Sequence, residues 1–249
     1  MKYRRKFGLI GKNIEYSFSR KYFLEKFSSD INLTGYNYEN FDIESINLIN
    51  SFISDKDLGG LNVTIPYKEE IIPYLDALTD EAKEIGAVNT ICFENNKKIG
   101  YNTDIFGFTE SLKVNSINNI KAMIIMGTGG AAKTIIHFCR KNKIPFNIVS
   151  RRKSKDYLSY RDIDHSFFKG NVLIINCTPV GTYPNINKCP DLPYNFIEKE
   201  NILYDLVYNP SETLFIKKGK EIGCKTLNGY EMLKFQAEMS WNLWTKSTE

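Results

Sequence analysis

Gly127-Thr-Gly-Gly-Ala-Ala132 is the stretch whose reading decides the fold of this chain. An apolar run, Ala122-Met-Ile-Ile-Met126, precedes it, and a helical pattern from Lys133 to Cys139 follows. Glycine turns join many strands to helices, so the hexapeptide alone is a weak sign. A strand before it and a helix after it make it a candidate dinucleotide loop. Gly127 permits the tight turn, and Gly129 lets the backbone approach a pyrophosphate. Ala132 is small enough for the helix to pack close to the strand. The helix N-terminus then offers N–H groups and partial positive charge to phosphates.

The next strand, Phe146-Asn-Ile-Val149, selects the nucleotide. It ends in Ser150-Arg151-Arg152-Lys153. An NAD site usually carries Asp or Glu roughly 20 residues past the glycines, to hold the ribose 2′-hydroxyl. Here the first carboxylate after the strand is Asp156. Arginines suit a 2′-phosphate, which a guanidinium binds through two parallel hydrogen bonds. Basic turns are common on surfaces, but directly downstream of a glycine loop this one favours NADP.

Outward from this unit the chain alternates strand and helix patterns, the mark of an α/β fold with mainly parallel strands. Before the glycine loop, strands are expected at 7–10, 36–41 and 58–64. Helices are expected at 20–27, 43–52, 69–75 and 80–85. Segments 88–93 and 97–101 flank Asn95-Asn96, a hairpin signal. After the loop, strands are expected at 172–175, 202–204 and 225–227, with a closing helix over 230–244. The polar stretch Asn115 to Ile120 reads as a hinge between two α/β domains.

Composition narrows the function. A chain of 249 residues with net charge +4 has too small and too dispersed a charge for a nucleic-acid protein. Apolar runs fall short of the ~20 residues of a membrane span, and the basic start, Met1 to Lys6, lacks a signal-peptide core. The five cysteines are scattered, with no C-x-x-C, which favours reduced thiols in the cytoplasm over disulfides or zinc. The two histidines, His137 and His165, lie in a helix and a polar segment and read as surface residues, so acid–base chemistry must come from elsewhere.

The first half holds four polar clusters. In Tyr16-Ser17-Phe18-Ser19, two serines could hold an anion, or Ser19 could be a helix N-cap. Asn62-Val-Thr-Ile-Pro-Tyr-Lys68 follows a strand, where α/β proteins place ligands. Lys68 is either a solvated lysine or one held in a cleft for proton transfer. Gly86-Ala-Val-Asn-Thr90 and Gly100-Tyr-Asn-Thr-Asp104 each carry Asn-Thr near a strand end, and Asp104 is a candidate partner for Lys68.

Taken in order, these motifs resemble the shikimate dehydrogenase family. The resemblance rests on the serine pair, Asn62–Lys68, Gly86–Thr90, Asn102–Asp104 and Gly127–Ala132. It continues through Ser150–Arg152, Asn176-Cys-Thr-Pro-Val-Gly181, Asp205-Leu-Val-Tyr-Asn-Pro210 and Met232-Leu-Lys-Phe-Gln236, and so covers almost the whole chain. It implies two α/β domains. A substrate domain with a mainly parallel sheet spans 1–104 and 229–249, and a Rossmann-like NADP-binding domain spans 105–228. Ser17 and Ser19 would bind the substrate carboxylate, with Tyr208 nearby. Asn62, Thr64, Asn89, Asp104 and Gln236 would hold ring hydroxyls, and Lys68 with Asp104 would form the catalytic pair. Gly127, Gly129, Gly130 and Ala131 would bind pyrophosphate, and Ser150, Arg151 and Arg152 the 2′-phosphate. Thr178, in the 176–181 loop, would lie beside the ribose and nicotinamide.

The chain departs from the family pattern at Tyr16, Arg20, Ile105, Ser150 and Arg152. The implied activity is the NADP-dependent reduction of 3-dehydroshikimate to shikimate in aromatic amino-acid biosynthesis. It would be carried out in the cytoplasm by a monomer or homodimer, with no metal, nucleic-acid or membrane partner. Two other readings stand beside it: a quinate/shikimate dehydrogenase using NAD, and a non-catalytic NADP-binding sensor.

Overall fold

The computed structural model describes residues 5–15, 17–53 and 57–246. Two compact units emerge, Met1–Thr103 with Ala237–Glu249, and Asp104–Gln236.

The first unit is a six-stranded mixed sheet. Its strands are β1 (Arg5–Gly11), β2 (Tyr36–Asp42), β3 (Leu58–Val63), β4 (Ala77–Leu78), β5 (Thr90–Glu94) and β6 (Lys97–Tyr101), in the order β2-β1-β3-β5-β6-β4. β1 pairs parallel with β2 and β3, and β4 parallel with β6. β5 runs antiparallel to both neighbours. The β5–β6 turn is the expected hairpin: Asn95 and Asn96 take φ of 49° and 62°, the left-handed pair that a two-residue type I′ turn needs.

Helix α1 (Phe18–Ser29) buries Phe23 and Phe27, one turn apart, on one face of the sheet. They join Phe7, Leu9, Tyr38, Trp241 and Trp244 in an aromatic-rich core. Gly60 is what lets Trp244 lie flat there, since a Cβ at that position would sit 2.2 Å from the indole. The indole N–H donates to the Ile91 carbonyl at 3.0 Å. On the other face, Ile10, Leu61, Val63, Ile71 and Ile91 form a second core. Helix α2 (Asp80–Ile85) has Thr79 as N-cap and Gly86, at φ 70°, as left-handed C-cap. The helix expected over 43–52 tightens to a 3₁₀ segment, Ile46–Ser51. That over 69–75 shrinks to Ile72–Tyr74, because Pro73 lacks the N–H a longer helix would use.

The second unit is doubly wound. It contains α3 (Asp104–Val114), β7 (Ala122–Met126), α4 (Gly130–Lys141), β8 (Phe146–Ser150), β9 (Leu158–Ser159), β10 (Val172–Asn176), β11 (Ile202–Asp205), α5 (Leu214–Ile222), β12 (Lys225–Asn228) and the first turns of α6 (Tyr230–Lys246). All its strands are parallel, in the order β12-β11-β10-β7-β8-β9. Within β7, Met123 and Ile125 face a core shared with α3 and α4. Ile124 and Met126 face one shared with Phe215 of α5. The chain reverses its winding between β7 and β10, the switch point where such sheets open a ligand crevice at their strand ends. The Asn115–Ile120 stretch lies inside this unit, tied down by Asn171, whose side-chain amide donates to the Asn118 and Asn119 carbonyls at 3.0 Å.

All five cysteines are free thiols. Among the described residues no cluster of His, Cys, Asp and Glu suits a metal ion, and no helix is long and apolar enough to cross a membrane. His165 is exposed, as expected, whereas His137 is half-buried on α4.

Candidate active site

In the first unit the strand ends converge on a buried cluster of amides and hydroxyls. Asn62, on β3, is its centre. Its Oδ1 accepts from the Tyr38 hydroxyl at 2.8 Å. Its Nδ2 faces Ser240 Oγ at 3.0 Å, Thr90 Oγ1 at 3.2 Å and the Asn89 carbonyl at 3.3 Å. Asn89 is itself pinned, with Oδ1 accepting from Thr103 N at 2.6 Å and Nδ2 donating to Thr103 Oγ1 at 2.9 Å. Ser240 Oγ lies 2.8 Å from Thr90 Oγ1 and 3.1 Å from Thr103 Oγ1. Such polar groups are tolerated in a core only when mutually bonded.

Ser17 and Ser19 flank this cluster at the start of α1. Ser17, not Ser19, is the N-cap: its hydroxyl accepts from Ser19 N at 3.2 Å. That leaves the Ser19 hydroxyl free of capping duty. Tyr16 lies outside the described residues. Thr64 and Lys68 follow β3 and are half-buried. The turn between them closes with Tyr67 N on the Thr64 carbonyl at 2.9 Å. Lys68 is then fixed by its carbonyl, which accepts from Val88 N at 2.7 Å and ties the 62–68 and 86–90 motifs together.

The second unit begins at Asp104 and ends at Gln236, both buried. Gly107 lets α3 and α6 approach within this unit, since its Cβ would stand 2.5 Å from the Met232 carbonyl and 3.0 Å from Gln236 Cβ. Lys68 thus lies in the first unit and Asp104 in the second. Ser17 and Ser19 lie in the first, and half-buried Tyr208 in the second.

The glycine loop has the geometry its residues predict. Gly127 takes φ 114°, a conformation side chains disfavour. A Cβ there would crowd Thr178 Cγ2 at 3.1 Å, which places the 176–181 loop against the glycine turn. Gly129 is the N-cap of α4 and opens onto empty space, with nothing within 4 Å of where a Cβ would be. Gly130 and Ala131 form the first turn of α4. Ser150 ends β8, and Arg151 and Arg152 are exposed beyond it. Lys153 is spent on Asp162 at 2.9 Å, while among the described residues neither arginine has an ion-pair partner.

A second buried network, absent from the sequence reading beyond its motifs, shapes the 176–181 loop. Asn176 Oδ1 accepts from Thr178 N at 3.0 Å and Thr178 Oγ1 at 2.6 Å. Its Nδ2 donates to Asp205 Oδ1 at 2.9 Å and to the Val180 carbonyl at 3.1 Å. Asp205 Oδ2 accepts from Thr213 Oγ1 at 2.6 Å. Burial pushes the Asp205 carboxyl up to about 6, against the hydrogen bonds from Thr213, Val207 N and Asn176 that pull it down. Tyr38, Ser240 and Thr213 went unread because each lies outside the motifs, in β2, in α6 and at the N-cap of α5. Thr90 and Thr103 carried a signal, as the second member of each Asn-Thr pair.

A doubly wound unit with an open glycine loop, joined to a unit with a buried amide–hydroxyl cluster, defines a two-unit α/β protein of dinucleotide-binding type. Residues 9–91 match the family described as the shikimate dehydrogenase substrate binding domain. The shikimate dehydrogenase (NADP(+)) of Methanococcus vannielii is 38% identical over 96% of this chain and 90% of its own length. Among solved structures, shikimate dehydrogenase 1 from Peptoclostridium difficile matches with a TM-score of 0.86 at 38% identity, covering 97% of this chain and 92% of that one. The shikimate 5-dehydrogenase of Thermus thermophilus, solved in complex with NADP(H) and shikimate, matches with a TM-score of 0.85 at 26% identity, covering 97% and 94%. The chain belongs to the shikimate dehydrogenase family.

Proposed function

We propose that the chain catalyses the reversible, NADP-dependent reduction of 3-dehydroshikimate to shikimate, a step toward chorismate and the aromatic amino acids. The observation that carries this reading is the buried cluster around Asn62. A sheet of this kind needs no such concentration of buried amides and hydroxyls for stability, whereas a polyhydroxylated ring needs convergent, fixed partners.

The second unit fits NADP. The gap at Gly129 admits a pyrophosphate against the α4 N-terminus, contacted by Gly127, Gly129, Gly130 and Ala131. Ser150, Arg151 and Arg152 hold the 2′-phosphate, and Thr178 lies beside the ribose and nicotinamide. When bound, NADPH supplies a hydride from C4 of its nicotinamide. In the first unit, Ser17 and Ser19 hold the substrate carboxylate, with Tyr208 near it. Asn62, Thr64, Asn89, Asp104 and Gln236 hold the ring hydroxyls. Lys68 gives a proton to the oxygen of the reduced carbonyl and takes it back in the reverse direction, and Asp104 orients Lys68. Asp104 and Gln236 are the two residues at which the chain passes between units, so both crossings carry substrate contacts.

In these terms 1–104 with 229–249 serve the substrate and 105–228 the cofactor. The enzyme works in the cytoplasm as a monomer or homodimer. The test is NADPH oxidation on addition of 3-dehydroshikimate, with quinate and NAD as the contrasting pair. Tight NADPH binding without turnover would make the chain a sensor instead.

A further inference from the structure

We infer that Tyr38 is a positioning residue for substrate recognition, fixing the Asn62 amide so that its oxygen, not its nitrogen, faces a substrate hydroxyl. The inference rests on the proposed role of Asn62 as a ring contact. It follows from the direction of each hydrogen bond in the buried chain.

The Asn89 carbonyl can only accept, and it lies 3.3 Å from Asn62 Nδ2. The amide nitrogen therefore faces Asn89, and Asn62 Oδ1 faces Tyr38 at 2.8 Å. An amide oxygen only accepts, so the single hydroxyl hydrogen of Tyr38 goes to Asn62. The Tyr38 oxygen is left as acceptor. The order is Tyr38 to Asn62 to the Asn89 carbonyl. Tyr38 is fully buried, stacked on Phe23 at 4.6 Å between centroids. Burial also holds its phenol well above the usual tyrosine range, so it stays a donor at working pH.

The amide hydrogens of Asn62 are directed at Ser240, Thr90 and Asn89. What remains for a ligand is the second lone pair on Oδ1. Asn62 thus accepts from a ring hydroxyl and cannot serve a ring carbonyl or ether in the same place.

The test is a double-mutant cycle of Tyr38→Phe and Asn62→Ala, read as KM for shikimate, KM for NADP and kcat, with urea midpoints alongside. Loss of one neutral hydrogen bond predicts a rise of about three- to tenfold in the shikimate KM of Tyr38→Phe. Its kcat and NADP KM should stay near wild type. The double variant should be no worse than Asn62→Ala alone. A wild-type shikimate KM in Tyr38→Phe, or losses that multiply in the double variant, would overturn the inference. Equal losses for both ligands with a lowered urea midpoint would make Tyr38 a purely structural residue. A wild-type shikimate KM in Asn62→Ala would remove Asn62 from the substrate site, and the role of Tyr38 with it.

Discussion

The two units present the groups proposed to meet their ligands by opposite means. In the first unit side chains do the presenting: Asn62, Asn89, Thr90, Thr103 and Ser240 are buried and bonded to one another. In the second, backbone does it. Gly127 and Gly129 offer a turn and an empty gap, and the side chains at the end of β8 are exposed. Its own buried polar network, Asn176–Asp205–Thr213, holds the shape of a loop. A buried side-chain network is specific but brittle, because removing one member leaves others unsatisfied. A backbone cradle reads a phosphate common to many ligands and leaves selectivity to a few surface charges. Substitutions in the first unit should therefore alter substrate use, and those in the second cofactor choice.

The largest expected effect lies outside both networks, at Lys68. As the proposed proton donor it is worth ~10²–10⁴-fold in turnover. Lys68→Met, which keeps length and loses charge, should lower kcat by about that factor with a much smaller change in shikimate KM. A near-normal kcat would remove Lys68 from the chemistry. Loss of binding with normal saturated turnover would make it a substrate holder.

Next in size is cofactor choice. A charged hydrogen bond to the 2′-phosphate contributes about 1.5–3 kcal/mol. Arg151→Ala should raise the NADPH KM by about tenfold or more and leave NADH use nearly unchanged. Equal losses with both cofactors would show that the basic turn does not read the phosphate.

The smallest effect probes the loop-holding network. Burial holds the folded-state carboxyl of Asp205 at about 6, above its ordinary value of 3.8. A raised carboxyl contributes stability at low pH and loses it as pH rises through the folded-state value. Between roughly pH 5 and 7 the loss is about 1 kcal/mol. Asp205→Asn cannot ionise, so urea midpoints of the variant should fall less than those of wild type over that interval. Parallel pH dependences would place the proton elsewhere.

Local signals were legible in the sequence and distant ones were not. The glycine loop, the Asn95–Asn96 hairpin and the closing helix each announce themselves within a few residues. Helix α5 was obscured by Gly219, a poor helix former. It is there because a Cβ would meet Leu203 and Thr226 at 2.8 Å, where the helix packs on the sheet. The passages between units at 103/104 and 236/237 fall inside or beside helices, with no loop-like composition to mark them. The sequence suggested the hinge at Asn115–Ile120 because that stretch is polar, yet Asn171 holds its Asn118 and Asn119 carbonyls inside the second unit. Most of the candidate site was readable because its residues sit in short motifs at strand ends. Tyr38 and Ser240 were not, because their partners are 24 and 178 residues away in the chain.

The division of labour between the units is tested most directly by calorimetric titration of shikimate and NADP into two variants, Ser17→Ala/Ser19→Ala and Arg151→Ala. The serine variant should lose shikimate affinity and keep that for NADP, and the arginine variant should do the reverse. Unchanged shikimate binding by the serine variant would reduce Ser17 to a helix cap and take Ser19 out of the substrate site. Weakening of both ligands by either variant would contradict the separation of substrate and cofactor recognition.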